Sequence, residues 1–209
     1  MHLNDAFGHQ EGLKITYNHH EQACTIAAEG YTRQTGKIAP VCVTGGPGGT
    51  NAITGVFGAY VDSIPMFVVT GQAKRETSVW STNLPLRQLG DQEVNITSAV
   101  STMTKYAKMI TDPMSIRKEV EKAWFLMLNG RPGPVWLDIP GDVASTFIET
   151  DDLEGFDKQG YIDEHWASFN QDNPVYDEQY TKDVLAKIKE AKRPVILAGT
   201  AIRHANQQI

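Results

Sequence analysis

The sequence has few cysteines, no long apolar run and no concentrated positive charge. Its two cysteines, Cys24 and Cys42, lie in apolar segments, which predicts two small buried side chains rather than a disulfide framework or a zinc site. The net charge is -6 and Lys and Arg form no stripe, which argues against nucleic acid as a partner. No apolar run could span a bilayer and no secretory pattern opens the chain, so we expect a cytoplasmic protein without membrane contact.

Short apolar segments alternate with helical patterns along the first two thirds of the chain. Strands are predicted at 13–17, 39–44, 66–71, 105–110 and 135–140, and helices at 21–35, 50–61 and 113–128. Because continuous apolar strands suit a sheet that is covered on both faces, the order predicts an α/β fold with a doubly wound, mostly parallel sheet and helices on both faces. The polar residues 72–100 are too many for a simple connection and predict a functional loop.

The chain is expected to continue into a partial second domain. We predict a first domain at 1–143, an acidic linker at 144–175, and the start of a truncated domain at 176–209. The last part offers one amphipathic helix at 180–191 and one strand at 193–199. One helix and one strand cannot bury a core of their own, which is why we expect the rest of this domain to be absent.

Polar clusters follow three of the predicted strands, at 18–22, 44–51 and 70–72. Ligands of open parallel sheets bind outside the carboxyl ends of the strands, so these clusters are expected to meet at one edge. The turn "TGGPGGTN" at 44–51 is compatible with a bound phosphate, although it lacks the P-loop lysine and the dinucleotide spacing. It is equally compatible with a tight turn capped near Thr50 or Asn51, or with a flat ring against the glycines.

Glu21 has two interpretations that local features do not separate. It is either a helix-start residue that gains from the macrodipole or a catalytic acid. The neighbouring His19 and His20 are poor metal ligands as a pair, because adjacent side chains at a strand end point in opposite directions.

Several segments together resemble the N-terminal pyrimidine-binding (PYR) domain of thiamine diphosphate enzymes, and most of all the acetolactate synthase group. They are "HHEQACTIAAEGYTRQTGK", "TGGPGGTNAITGVFGAYVDSIPMFVVTGQ", "RQLGDQE", "TKYA" and "GRPGPVWLDIPGDV". The resemblance makes Glu21 the glutamate that hydrogen-bonds N1′ of the aminopyrimidine, with a raised pKa from partial burial. It places Gln92 in the pocket for a 2-oxo acid substrate. The cofactor-binding residues that it implies are Thr44, Pro47, Gly48, Asn51 and Gln72.

The same resemblance implies that this chain holds half of a cofactor site. The family binds the diphosphate with Mg²⁺ in another domain through a Gly-Asp-Gly followed by Asn, and 209 residues here contain no such motif. It also implies a partner, either a second copy or a complementary subunit, and leaves FAD undecided. A first strand is expected to be missing ahead of residue 1, and the chain alone is expected to be inactive. Two alternatives stay open, namely a non-catalytic assembly module and a mononucleotide-binding domain.

Overall fold

The computed structural model describes residues 2–165, 177–197 and 199 of the chain. The chain forms two compact units, one at Met1–Asn173 and the other at Pro174–Ile209. In the first unit the strands are β1 (Val41–Val43), β2 (Met66–Gln72), β3 (Tyr106–Met109) and β4 (Pro134–Pro140). Its helices are α1 (His2–His9), α2 (Glu21–Thr35), α3 (Pro47–Val61), α4 (Ile96–Val100), α5 (Ile116–Leu128), α6 (Gly141–Ala144) and α7 (Lys158–Glu164). Short 3-10 turns lie at Arg75–Thr77, Val79–Ser81, Pro113–Ser115 and Thr150–Asp152.

The four strands form one parallel sheet in the order β1-β2-β4-β3. In this register Thr70 of β2 lies opposite Asp138 of β4. The crossing helices alternate with the strands, because parallel neighbours cannot be joined by a tight turn. The predicted α/β fold with a doubly wound parallel sheet is therefore confirmed.

Both faces of the sheet are buried, which explains why the strands are continuous apolar runs rather than alternating ones. Successive residues of β2 point to opposite faces: Met66 and Val68 pack on one, Phe67 and Val69 on the other. The first face is covered from α2, α3 and α4, and the second from α5 and α6. Trp136 is fully buried on the first face and Leu137 on the second.

Two local predictions for the first unit are wrong. Residues 13–17 form no strand and are exposed, and they pair with neither edge strand of the described sheet, β1 or β3. The second predicted helix begins at Pro47 instead of Thr50, since Pro is suited to the first helical position and Gly46 takes the N-cap.

Two other predicted segments have more structure than their composition indicated. The loop at 72–100 holds two 3-10 turns and α4. Helix α7 lies inside the predicted linker, where Tyr161 contacts the rings of Phe125 and Phe156. The limits of the predicted domains stay a prediction.

The second unit contributes helix α8 (Glu178–Glu190), which confirms the helix predicted near 180–191. The strand predicted at 193–199 is not formed over residues 193–197, where Val195, Ile196 and Leu197 are exposed. The described part of this unit contains no strand that could pair with it. Residue 198 of that prediction lies outside the described residues. None of the helices described is both long and apolar enough to cross a bilayer, and the cytoplasmic location stays a prediction.

Candidate functional site

Helices α2 and α3 pack side by side and bring Glu21 next to Asn51. Glu21 is the first residue of α2, which follows the N-cap His20, whose Nδ1 accepts from the backbone N–H of Gln22. Asn51 lies one turn into α3, and its Nδ2 donates to Glu21 Oε2 at 3.2 Å. The two interpretations of Glu21 are thus compatible, since a helix-start carboxylate here also faces the glycine turn.

The pKa of Glu21 is lowered, contrary to the raised value that the resemblance implied. The backbone N–H of Glu21 itself has the largest effect, followed by the hydrogen bond from Asn51, and together these outweigh the weak desolvation. The expectation failed because Glu21 is only partly buried in this chain, too little for desolvation to outweigh these hydrogen bonds. Glu21 is therefore an ionised acceptor at neutral pH unless something covers it.

The glycine turn leaves room beside the Glu21 carboxylate. A Cβ added at Gly48 would lie 2.3 Å from Thr44 Oγ1 and 3.5 Å from Glu21 Oε1. Any larger residue would thus fill the space between these two polar groups. Pro47 is exposed at the start of α3. The structure brings together Glu21, Thr44, Gly48 and Asn51, all of which were predicted to lie near the aminopyrimidine.

A cavity of about 260 Å³ opens at the carboxyl edge of the sheet. Thr44, Gln72 and Gln92 line it, together with Asn4 and Cys42. Thr44 therefore belongs both to this cavity and to the group around Glu21. The cavity confirms the expectation that polar residues at the ends of β1 and β2 meet at one edge. The cofactor and substrate roles of these residues stay predictions.

Gln72 differs from the other predicted cofactor residues because its side chain is bound within the protein. Its Nε2 donates to Asp138 Oδ2 at 2.9 Å and to the Val94 carbonyl at 2.7 Å. Its Oε1 accepts from the backbone N–H of Ala73 at 3.0 Å. The amide thus ties the end of β2 to β4 and to the segment before α4.

Asp138 is a fully buried carboxyl group that sequence reasoning missed. Thr70 Oγ1 donates to Asp138 Oδ1 at 2.7 Å and itself accepts from Trp136 Nε1 at 2.9 Å. Burial raises the pKa of Asp138 to about 6, although the hydrogen bonds from Thr70 and Gln72 oppose that shift. The signal was an aspartate inside the apolar strand "VWLDIP", where an acid is rare unless it is paired.

We predict that Asp138 makes the fold less stable as pH rises. The folded pKa lies above the unfolded one, so the stability that this group contributes is complete below about pH 4 and is lost as pH rises through about 6. The free energy of unfolding should fall by about 3 kcal/mol over that range because of this group. Urea denaturation of wild type and Asp138→Asn at several pH values should therefore show that the difference in their free energies of unfolding changes with pH.

The matched control for this prediction is Asp151→Asn, which removes the same charge at an exposed position. The free energy of unfolding of this control should differ from that of wild type by a nearly constant amount over the same pH range. A constant difference for Asp138→Asn as well would show that Asp138 does not titrate between the two states.

The backbone of Gln92 contacts the glycine turn. Gly46 has φ 57°, and a Cβ there would lie 2.2 Å from the Gln92 carbonyl oxygen. Gln92 itself has φ 54°, a left-handed conformation that is uncommon for a residue with a side chain. The segment that carries Gln92 is therefore pressed against the start of α3.

The histidines at 19 and 20 are not part of a cluster of potential metal ligands in the part of the chain that the structure describes. No group of three or more His, Cys, Asp or Glu side chains among those residues is arranged to hold a metal ion. His20 serves as the cap of α2 and His19 is exposed. Residues 44–51 form a tight turn into α3 as predicted, but its N-cap is Gly46 in place of Thr50 or Asn51.

The chain is similar to known proteins over its first 99 residues and beyond. A family model described as "Thiamine pyrophosphate enzyme, N-terminal TPP binding domain" matches residues 1–99. The acetolactate synthase large subunit of Lactococcus lactis is 34% identical over 97% of this chain and 32% of its own length. The Buchnera aphidicola (Schizaphis graminum strain) large subunit is also 34% identical, over 98% of this chain and 33% of its own. The chloroplastic acetolactate synthase of Arabidopsis thaliana is 28% identical over all of this chain and 29% of its own.

These relatives are much longer than the protein described here. The chain spans about a third of the length of the relatives that it matches. The match runs through the glycine turn and the Glu21–Asn51 pair, because both lie within residues 1–99.

Proposed function

The chain carries an acetolactate synthase-like N-terminal domain of the thiamine diphosphate enzymes, and from this premise we propose that it binds the aminopyrimidine half of thiamine diphosphate. In a complete assembly it takes part in the decarboxylation or ligation of 2-oxo acids. The observation that carries this proposal is the Glu21 carboxylate, held by Asn51 beside the opening at Gly48.

The residues at the carboxyl edge fit a flat, polar ring. Gly48 has no side chain to obstruct its approach, and Thr44 supplies a hydroxyl on the same side. Glu21 Oε2 is occupied by Asn51, which leaves Oε1 toward Gly48 for a ring nitrogen. When bound, thiamine diphosphate would supply a thiazolium ring, an electron sink for the pair that stays on the substrate carbon when carbon dioxide leaves a 2-oxo acid.

The task of Glu21 is to hold and exchange one proton at Oε1. An ionised carboxylate can accept a proton, and a protonated one can donate it to a ring nitrogen. The lowered pKa of Glu21 in this chain favours only the first state. Covering the carboxyl group with apolar surface would raise the pKa toward the range in which both states are populated.

We propose that the cover is a partner, either a second copy of this chain or a complementary diphosphate-binding subunit. Several large apolar side chains are exposed on the same two helices that carry Glu21 and Asn51, and such surfaces mark interaction sites. They are Ile26 and Tyr31 on α2 and Phe57, Tyr60 and Val61 on α3. The diphosphate and its Mg²⁺ would be bound by a separate domain, outside the residues described here.

Complementation tests this function. The remaining two thirds of the Lactococcus lactis relative would be produced without its first third and mixed with this chain, thiamine diphosphate and Mg²⁺. We expect proton exchange at C2 of the cofactor to rise well above that of either component alone, measured by NMR in deuterated water. Sedimentation should show a complex of the two components under the same conditions.

A complex that forms without any gain in exchange would contradict the proposal. That result would favour the alternative of a non-catalytic assembly module, which predicts association through α2 and α3. Calorimetry also distinguishes the proposed function from this alternative. A non-catalytic assembly module would show no heat of thiamine diphosphate binding in the complex.

A further inference from the structure

Glu93 lies between β2 and α4, and its carboxylate binds three backbone N–H groups. Val79 N–H lies 2.8 Å from Oε1 and 3.1 Å from Oε2. Leu89 and Gly90 donate to Oε2 at 3.1 and 3.0 Å. The Glu93 side chain therefore links both ends of the segment from residue 79 to residue 93 through hydrogen bonds.

The charge state of Glu93 fits this task. Burial is the largest single effect and raises the pKa, but the three N–H donors together outweigh it and lower the pKa. An ionised carboxylate offers acceptor lone pairs on both oxygens, which is what three donors require.

The residues on either side of this carboxylate are also fixed. Val94 accepts from Gln72 through its carbonyl, and Gln92 rests against Gly46 in a left-handed conformation. An uncommon backbone conformation persists only where surrounding contacts hold it. Gln92 thus lies between Gly90 and Glu93, which are hydrogen-bonded to each other, at the wall of the cavity.

We infer that Glu93 is a positioning residue that holds Gln92 at the cavity wall through its three backbone hydrogen bonds. Its importance for a 2-oxo acid rests on the proposed function, in which Gln92 faces the substrate. The hydrogen-bond geometry itself does not depend on that function.

Amide hydrogen exchange on the chain itself tests the inference. In Glu93→Ala the protection of Val79, Leu89 and Gly90 should fall by about tenfold each, because the acceptor of a charge-assisted hydrogen bond is lost. Glu93→Gln should behave differently at the three sites. Its amide oxygen can replace Oε2 and keep Leu89 and Gly90 protected. Its amide nitrogen then replaces Oε1 and leaves the Val79 N–H only the longer contact, so the protection of Val79 should fall, but less than in Glu93→Ala. The side-chain amide signals of Gln92 should shift in Glu93→Ala and return toward wild type in Glu93→Gln.

Glu76→Gln is the control, since Glu76 is exposed three residues before Val79 and this substitution removes the same charge. Unchanged exchange in Glu93→Ala, or an unchanged Gln92 signal, would overturn the inference. In the complemented assembly Glu93→Ala should raise KM for pyruvate more than it lowers kcat, whereas an unchanged KM would show that Glu93 orders the segment without serving the substrate. If wild type shows no C2 exchange in that assembly, the proposed function fails, and the exchange and Gln92 measurements still decide the role of Glu93.

Discussion

Glu21→Gln should reduce C2 proton exchange in the complemented assembly by about a hundredfold or more, the lower range for loss of a general acid–base group. The glutamine has the same size, and its amide oxygen can accept the hydrogen bond from Asn51 as Oε2 does. The helix start is retained for the same reason. What is lost is the ability to hold a proton at Oε1, so the fold and the complex should survive while exchange does not.

The measurement is the rate of deuterium incorporation at C2, with complex formation verified in the same samples. Glu11→Gln provides the control, because Glu11 is exposed and its substitution removes an equal charge from the same part of the chain. If Glu21→Gln exchanges like wild type, Glu21 is only a helix-start residue and the assignment fails.

Gly55→Ala should destabilise the first unit by about 2–3 kcal/mol, because it overpacks the contact between α2 and α3. A Cβ on Gly55 would lie 2.3 Å from Thr25 Oγ1, 2.6 Å from Thr25 Cβ and 3.0 Å from the backbone nitrogen of Ile26. Thr25 is fully buried, and its hydroxyl donates to the Gln22 carbonyl. Neither the side chain nor the backbone can move aside, so the two helices must separate.

Gly30→Ala is a matched control within α2. No atom lies within 4 Å of a Cβ at Gly30, so this change should stabilise the helix by up to about 1 kcal/mol. Thermal unfolding of the two variants should therefore move in opposite directions. If the unfolding temperatures of both variants shifted equally, the close approach at Gly55 would not limit the packing of α2 against α3. Since Glu21 and Asn51 lie on the separated helices, Gly55→Ala should also lower C2 exchange in the assembly.

The sequence predicted the sheet and most of its helices because each rests on a local pattern. Continuous apolar runs marked β2 and β4, and Gly36 ended α2 as expected, with a left-handed backbone. Residues 13–17 have the apolar alternation of a strand, but a strand exists only where a neighbour accepts its hydrogen bonds. Such pairing depends on residues distant in sequence, which a local pattern does not report.

The candidate site, too, could be predicted from the sequence only in part. Glu21, Thr44, Gly48 and Asn51 could be proposed from motifs, and the structure brings them together. The contact of Glu93 with Val79 depends on how a polar segment folds back. Composition described that segment only as irregular, so the contact could not be predicted. The pKa of Glu21 was misjudged since it depends on surface that this chain alone does not bury.

The buried Asp138 has a consequence for how the strands find one another. Strands that are apolar on both faces can slide past each other with little change in hydrophobic contact, so their alignment is weakly specified. A shift of one residue would turn Asp138 away from Thr70 and leave a carboxyl group among apolar side chains without hydrogen bonds. A buried Asp138 therefore favours the pairing of β2 with β4 in which it lies opposite Thr70.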